Sequence, residues 1–196
     1  MLDFFFQLDF YLFQLINGQW HLGLLDVILP VWRSQYFWAP LYMFFLTFLL
    51  YNYPPRTIYV IVASLILTVF ISDQLSASVI KELLPRLRPC KLPELIETIR
   101  LLVPCGSGKS FVSAHATNHF AIAVLTGNLL KPHFPWLLRI LLIWAASIAY
   151  GQVYVGVHFP LDVICGAILG ILIGLGTLRL ARFYIAYQEI PFLSGK

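Results

Sequence analysis

Charge is what this sequence has least of. Asp, Glu, Lys and Arg make up only 11% of its 196 residues, while 60% are hydrophobic. A soluble domain carries roughly 25% charged residues, so this chain lacks the polar side chains to cover its own surface in water. A soluble all-α core is excluded on that ground. No basic run is long enough for nucleic acid, and the net charge of +4 is modest. Cysteine is scarce as well. Cys90, Cys105 and Cys165 contain no CxxC pair, which excludes a zinc ribbon or a thioredoxin-type site. Cys90 and Cys105 flank one polar loop, and a disulfide that clamps it or two free thiols both remain open. The opening Met1-Leu2-Asp3-Phe4-Phe5-Phe6 has an acid and no Lys or Arg, unlike a signal peptide, so the first span is expected to serve as its own insertion signal. Internal repeats and low-complexity stretches are missing, and residues 1–196 read as one domain.

What is present is a series of long apolar runs. Residues 1–35 are aromatic but interrupted by Asp3, Asp9, Asp26 and Arg33, and read as one or two interfacial helices, with Trp20, Trp32 and Trp38 suited to the headgroup belt. Spans are expected at about 36–52, 57–80, 114–130, 136–152 and 159–182. The fold class is therefore all-α, an integral membrane helical bundle of five or six spans. A polar loop covers about 86–112, and five spans put it on the same face as the short link near 153–158. Lys and Arg nearly tie between the two faces. If Lys81, Arg88 and Lys109 are set aside as site residues, the opposite face has the excess, which makes the polar-loop face extracytoplasmic by the positive-inside rule.

Three patches on that face carry chemistry. The first is Lys81-Glu82-Leu83-Leu84-Pro85-Arg86-Leu87-Arg88-Pro89. Lys81 and Arg88 are seven apart, so a helix would set them on one side, where two cations hold an anion with several acceptor oxygens. The plain alternative is a stop-transfer cluster. The second is Lys109-Ser110-Phe111-Val112-Ser113-Ala114-His115. A Ser before a helix caps it and leaves backbone N–H groups for a phosphate, with His115 beside them; an ordinary N-cap is the alternative. The third is His158 with Asp162. On a helix, four residues place the carboxylate over the imidazole's face, where it fixes the tautomer and favours the charged ring. An acid one turn inside a membrane is costly and tends to be functional. Together the patches supply cations, N–H donors, a nucleophile with an orienting acid and a second His, the parts needed for phosphoryl transfer.

With these residues in view, the chain resembles the type 2 phosphatidic acid phosphatase family, whose motifs are Lys-x6-Arg-Pro, Pro-Ser-Gly-His and Ser-Arg-x5-His-x3-Asp. Lys81, Arg88 and Pro89 match the first; Ser113 and His115 match the second, with Val112 and Ala114 for its Pro and Gly; His158 and Asp162 match the third, with Gly151 and Gln152 for its Ser and Arg. The resemblance covers residues 81–162. It implies that His158 attacks phosphorus, Asp162 orients it, and His115 protonates the leaving oxygen. Lys81, Arg88, Ser113 and the Ala114 N–H then hold the phosphoryl oxygens. It implies no metal or other cofactor, and a core of six spans in many members. Gln152 is the departure: glutamine can bond an oxygen but brings no charge. Either activity is weak or lost, leaving a lipid-phosphate-binding membrane protein, or another cation substitutes. Lys109, in an unusual Gly-Lys-Ser lead-in, is the candidate.

Other classes fit less well. His115 and His119 have the i, i+4 spacing of a zinc hydrolase helix, but Ala116 stands where the general base belongs. No pair of Gly/Pro-interrupted helices in corresponding halves suggests a transporter. The expected partners are a lipid phosphate substrate and membrane lipids, with no nucleic acid and no obligate protein partner. The location implied is a bacterial inner membrane with the site on the extracytoplasmic face. By analogy with small bacterial members of the family, undecaprenyl diphosphate ranks ahead of phosphatidylglycerol phosphate, phosphatidic acid and a lipid A phosphate.

Overall fold

The computed structural model describes residues 2–187, and helices account for most of them. In chain order these are α1 (Leu2–Phe13), α2 (Gly23–Trp32), α3 (Ala39–Asn52), α4 (Pro55–Asp73), α5 (Ile80–Leu83), α6 (Ala114–Leu129), α7 (Leu137–Tyr154) and α8 (Pro160–Tyr187). A π-helical stretch, Gln74–Val79, joins α4 to α5, so that Pro55–Leu83 is one rod. Every expected span coincides with a helix. Three of them, Pro55–Leu83, Leu137–Tyr154 and Pro160–Tyr187, are long and apolar enough to cross a membrane. α3 and α6 are shorter, with 14 and 16 residues, about 21 and 24 Å at 1.5 Å per residue.

α6 is the centre of the bundle. It packs most extensively on α8, then on α7 and α4. Its neighbours shield it from lipid, so it can carry His115, Thr117, Asn118 and His119 without a continuous apolar surface. The α6–α8 contact depends on small residues. A methyl group at Gly166 would lie 2.7 Å from the Ser113 carbonyl oxygen, and one at Gly174 would lie 2.7 Å from that of Ala121; between them, a methyl at Gly170 would overlap the Thr117 carbonyl. Three glycines four apart therefore bring the two backbones close enough for van der Waals packing to hold the helices where lipid offers no hydrophobic drive. Leu49, Val60, Ile61, Leu125, Leu129, Leu178 and Ile185 fill the end of the bundle away from the polar loop. Ile140, Ile143, Leu172 and Phe183 point outward, as side chains facing acyl chains do.

The first 35 residues are more than an interfacial skin. Phe4, Phe5, Phe6, Leu24 and Val27 are exposed, but Asp9, Phe13, Asn17 and Leu29 face inward and are buried. Asn17 is the main tie: its Nδ2 donates to the carbonyls of Arg100 (2.8 Å) and Tyr154 (2.7 Å), and its Oδ1 accepts from the Arg100 N–H (2.9 Å). Two of the tryptophans expected at the headgroup belt also point inward. Trp38 is buried, donates its indole N–H to the Trp32 carbonyl (2.7 Å) and meets the Trp32 and Trp144 rings edge-on. Trp32 donates to Ser147 Oγ on α7 (2.9 Å). Only Trp20 is exposed as expected. Once each indole N–H finds an internal acceptor, the ring's area favours the interior.

The polar loop folds back over the link between α7 and α8. The Leu102 N–H donates to the Val155 carbonyl (3.2 Å), and the Ser113 N–H to the Asp162 carbonyl (3.0 Å). Cys90 and Cys105 form a disulfide across the loop, which settles the choice left open by the sequence. The loop and the link share one face, as the span count requires.

Candidate active site

His158 lies in the link, before α8 begins at Pro160. The pair with Asp162 is thus not the helical i, i+4 pair expected from spacing. Pro160 suits the first helical position because it has no N–H to satisfy. Asp162 then falls in the first turn, where its Oδ2 accepts the Phe159 N–H (2.9 Å), half of a capping box. The same oxygen lies 3.5 Å from His158 Nδ1. Nδ1 therefore faces the carboxylate, and Nε2 lies 3.4 Å from Arg88 Nη1.

Both groups are almost fully buried. Burial pushes the His158 imidazole down to about 4, against the upward pull of Asp162. The carboxylate does favour the charged ring, as expected, but the loss of water outweighs it. The ring at neutral pH is therefore uncharged, with a lone pair at Nε2.

Lys81 and Arg88 do not share a helix face. α5 ends at Leu83 and the chain runs on without helix to Pro89. The turn at Leu84-Pro85 brings Arg88 back instead, and both cations lie within electrostatic range of His158. Arg88 donates from Nη1 to the Val157 carbonyl (3.2 Å) and from Nε to the Gly108 carbonyl (3.0 Å). A methyl group at Gly106 would sit 3.1 Å from the Arg88 guanidinium carbon, so a side chain there would have to displace the guanidinium by a few tenths of an ångström.

Ser113 caps α6 as expected, with Oγ 3.5 Å from the Ala116 N–H, and Ala114 follows as the first helical residue. His115 is half-buried on the first turn, with Arg33, Arg88 and His158 all in electrostatic range. The three patches do converge. His119 is buried one turn further in, its ring edge-on to Trp144 at 4.9 Å and its Nδ1–H donated to the His115 carbonyl (2.7 Å). Among the described residues no group of His, Cys, Asp and Glu forms a metal-binding cluster. Lys109 is exposed on the loop.

Four site residues escaped the sequence reading. Ser110, buried, donates its hydroxyl to Asp162 Oδ2 and lies 3.4 Å from His158 Nδ1. Arg86 spans two acids, with Nη1 to Asp162 Oδ1 (2.8 Å) and Nη2 to Asp9 Oδ2 (2.5 Å). Its guanidinium also lies 4.1 Å from the centre of the Phe159 ring. Asp9 in turn accepts the Leu161 N–H (2.7 Å). Arg33, just past α2, donates from Nε to Gln152 Oε1 (3.0 Å). Ser110 and Arg86 adjoin matched motifs, and that adjacency was the available signal. Asp9 and Arg33 were visible only as charges interrupting apolar runs.

Residues 58–185 match the model of the PAP2 superfamily, and that stretch contains every motif residue just placed around His158. The chain belongs to the PAP2 superfamily. It is 34% identical to a lipid A 4'-phosphatase of Porphyromonas gingivalis over 167 residues, 83% of this chain and 68% of the relative. To an undecaprenyl-diphosphatase of Sulfolobus acidocaldarius it is 32% identical over 161 residues, 81% of this chain and 71% of the relative. The crystal structure of Aquifex aeolicus LpxE superposes with a TM-score of 0.64 at 30% identity, covering 88% of this chain and 95% of that one. These PAP2 relatives are phosphatases. With three helices able to cross a bilayer, this PAP2 member is an integral membrane protein.

Proposed function

We propose that this PAP2 protein hydrolyses a lipid phosphate or diphosphate through a phosphohistidine intermediate. One observation supports this reading above the others: His158 is buried, uncharged and oriented by Asp162, with Nε2 directed toward Arg88. In the proposed first step, Nε2 attacks phosphorus and forms an N–P bond while the bond from phosphorus to the lipid oxygen breaks. That oxygen takes a proton from His115, which acquires it when the anionic phosphate binds beside the ring. In the second step a water attacks phosphorus, gives its proton to His115, and the N–P bond breaks to release phosphate. Asp162 stabilises the charge that His158 acquires in the first step. Lys81, Arg88, the Ser113 hydroxyl and the Ala114 N–H bind the phosphoryl oxygens and offset the charge of the transition state. No step requires a metal, so chelation should leave turnover unchanged.

A lipid A phosphate is the preferred substrate on the names of the relatives, ahead of undecaprenyl diphosphate, because two lipid A 4'-phosphatases at 34% and 30% identity align over 83% and 87% of this chain. The Cys90–Cys105 disulfide supports a polar-loop face on the oxidising, extracytoplasmic side of the inner membrane. The test is phosphate release from a panel of lipid phosphates by purified protein, with His158→Ala as the blank. Release from the wild type alone, with acid-labile, base-stable label on the protein during turnover, is expected. Equal background release from both proteins would favour a lipid-phosphate-binding role without catalysis.

A further inference from the structure

Arg33 and Arg88 differ from the other arginines of the polar face, because neither forms an ion pair among the described residues. Arg86 and Arg100 each contact a carboxylate. Arg33 is half-buried, yet among the described residues no carboxylate lies within ion-pair distance of it. Its contact is with an uncharged amide, Gln152 Oε1. Only one of its five N–H donors is used there. Burial, and then the nearby Arg88, push its guanidinium down to about 10. Arg33 thus lies within electrostatic range of Arg88, and both lie within that of His115, with no acid among the described residues at ion-pair distance from Arg33. Such an arrangement is costly in the empty protein and becomes favourable when an anion enters.

Gln152 gives a second, independent observation. Its side chain is fully buried. Its Nε2 is a buried donor with no partner among the described residues, although its Oε1 is taken by Arg33. Unpaired buried donors are rare and call for an explanation, and an anion oxygen beside Arg33 provides one. The backbone of Gln152 is tied to the nucleophile as well, because its carbonyl accepts the N–H groups of Val157 (3.2 Å) and His158 (3.3 Å). One residue therefore registers the Arg33 head group against His158. Gly151 lies under the Arg33 stem: a methyl there would sit 3.7 Å from Arg33 Cβ and 3.8 Å from Leu29 Cδ2.

We infer that Arg33 binds the phosphoryl group of the substrate, in place of an arginine at position 152, and that Gln152 is the positioning residue that aims it. Lys109, exposed on the loop, is not needed for this charge. The N-terminal segment thereby contributes a substrate-binding residue to the site. The inference rests on the phosphatase reading for its catalytic consequence, but the anion site stands on the Arg33–Gln152 geometry.

The test compares the wild type with Arg33→Gln, Arg33→Lys, Gln152→Arg, Lys109→Ala and the exchange Arg33→Gln/Gln152→Arg, using phosphate release and orthovanadate binding followed by calorimetry. Arg33→Gln should lower kcat/KM at least thirtyfold and weaken vanadate at least tenfold. Arg33→Lys should retain more than Arg33→Gln. Gln152→Arg alone should impair activity, because it sets two guanidinium groups against each other. The exchange should recover at least tenfold of the Arg33→Gln loss, a rescue that a purely structural role would not produce. If Arg33→Gln fails to fold, the exchange decides alone, and an exchange that gives no folded, vanadate-binding protein overturns the inference. Less than threefold change in Arg33→Gln, or a larger loss in Lys109→Ala, also overturns it. Arg33-dependent vanadate binding in a protein that releases no phosphate above the His158→Ala blank would sink the phosphatase reading and leave the anion site standing.

Discussion

Arg86→Met should be among the most damaging substitutions outside the residues that contact substrate. Arg86 joins two carboxylates that are themselves buried, Asp9 at 4% and Asp162 at 0% exposure. Removing one member of a buried ion pair typically costs about 3–5 kcal/mol, because the remaining charge is stranded. The two acids are not equally affected. Asp162 keeps Ser110, the Phe159 N–H and His158, whereas Asp9 keeps the Leu161 N–H. Burial already pushes the Asp9 carboxyl above the usual range with Arg86 in place, so without Arg86 it can take up a proton and limit the loss. The lower end, about 3 kcal/mol, is therefore expected at neutral pH. At roughly 2–4 °C per kcal/mol for a chain of this size, the apparent Tm in detergent should fall by about 6–12 °C. Asp9→Asn in the same background should recover at least half of it, because the stranded charge is gone. The pH dependence has a definite sign. A carboxyl whose folded value is raised favours the folded state when protonated and loses that contribution as pH rises through the folded value. The deficit of Arg86→Met should therefore be smaller at pH 5 than at pH 8. A Tm drop below about 3 °C, or a deficit that grows in acid, would refute the reasoning.

Other expectations follow from the same structure. Because burial holds the His158 ring down near 4, the acid limb of kcat/KM should lie near that value, with activity falling as pH drops through it; a limb at the free-histidine value would show that the ring is solvated in the working enzyme. Gly170→Ala should destabilise the protein by about 1–3 kcal/mol through overlap with the Thr117 carbonyl on α6, whereas Gly176→Ala, with open space around it, should leave the detergent Tm unchanged. Reducing the Cys90–Cys105 bond, which closes a 15-residue separation, should cost about 3 kcal/mol. Reduction should also raise KM before it lowers kcat, measurable by titrating phosphate release against dithiothreitol, because the loop holds Arg88 through Gly108. Ser110→Ala should lower kcat more than KM, because Ser110 touches Asp162 and His158.

The membrane character, the helix order and the candidacy of His115, His158, Asp162, Lys81 and Arg88 were legible in the sequence itself, because apolar run length and motif spacing are local properties of a chain. Spacing did not say how those residues would meet. Lys81 and Arg88 converge through a turn after α5, and His158 stands outside the helix that carries Asp162, because proline at 85 and at 160 sets where helix can run. Spacing was also silent on the balance of forces at His158, where burial outweighs the carboxylate. Nothing local to Asp9 or Arg33 distinguishes them from interfacial charges. Their roles arise from packing against residues 152 positions (Asp9 with Leu161) and 119 positions (Arg33 with Gln152) away along the chain. An ion or hydrogen-bond partner so distant along the chain is selected by how the helices assemble, and only the tertiary structure contains that information.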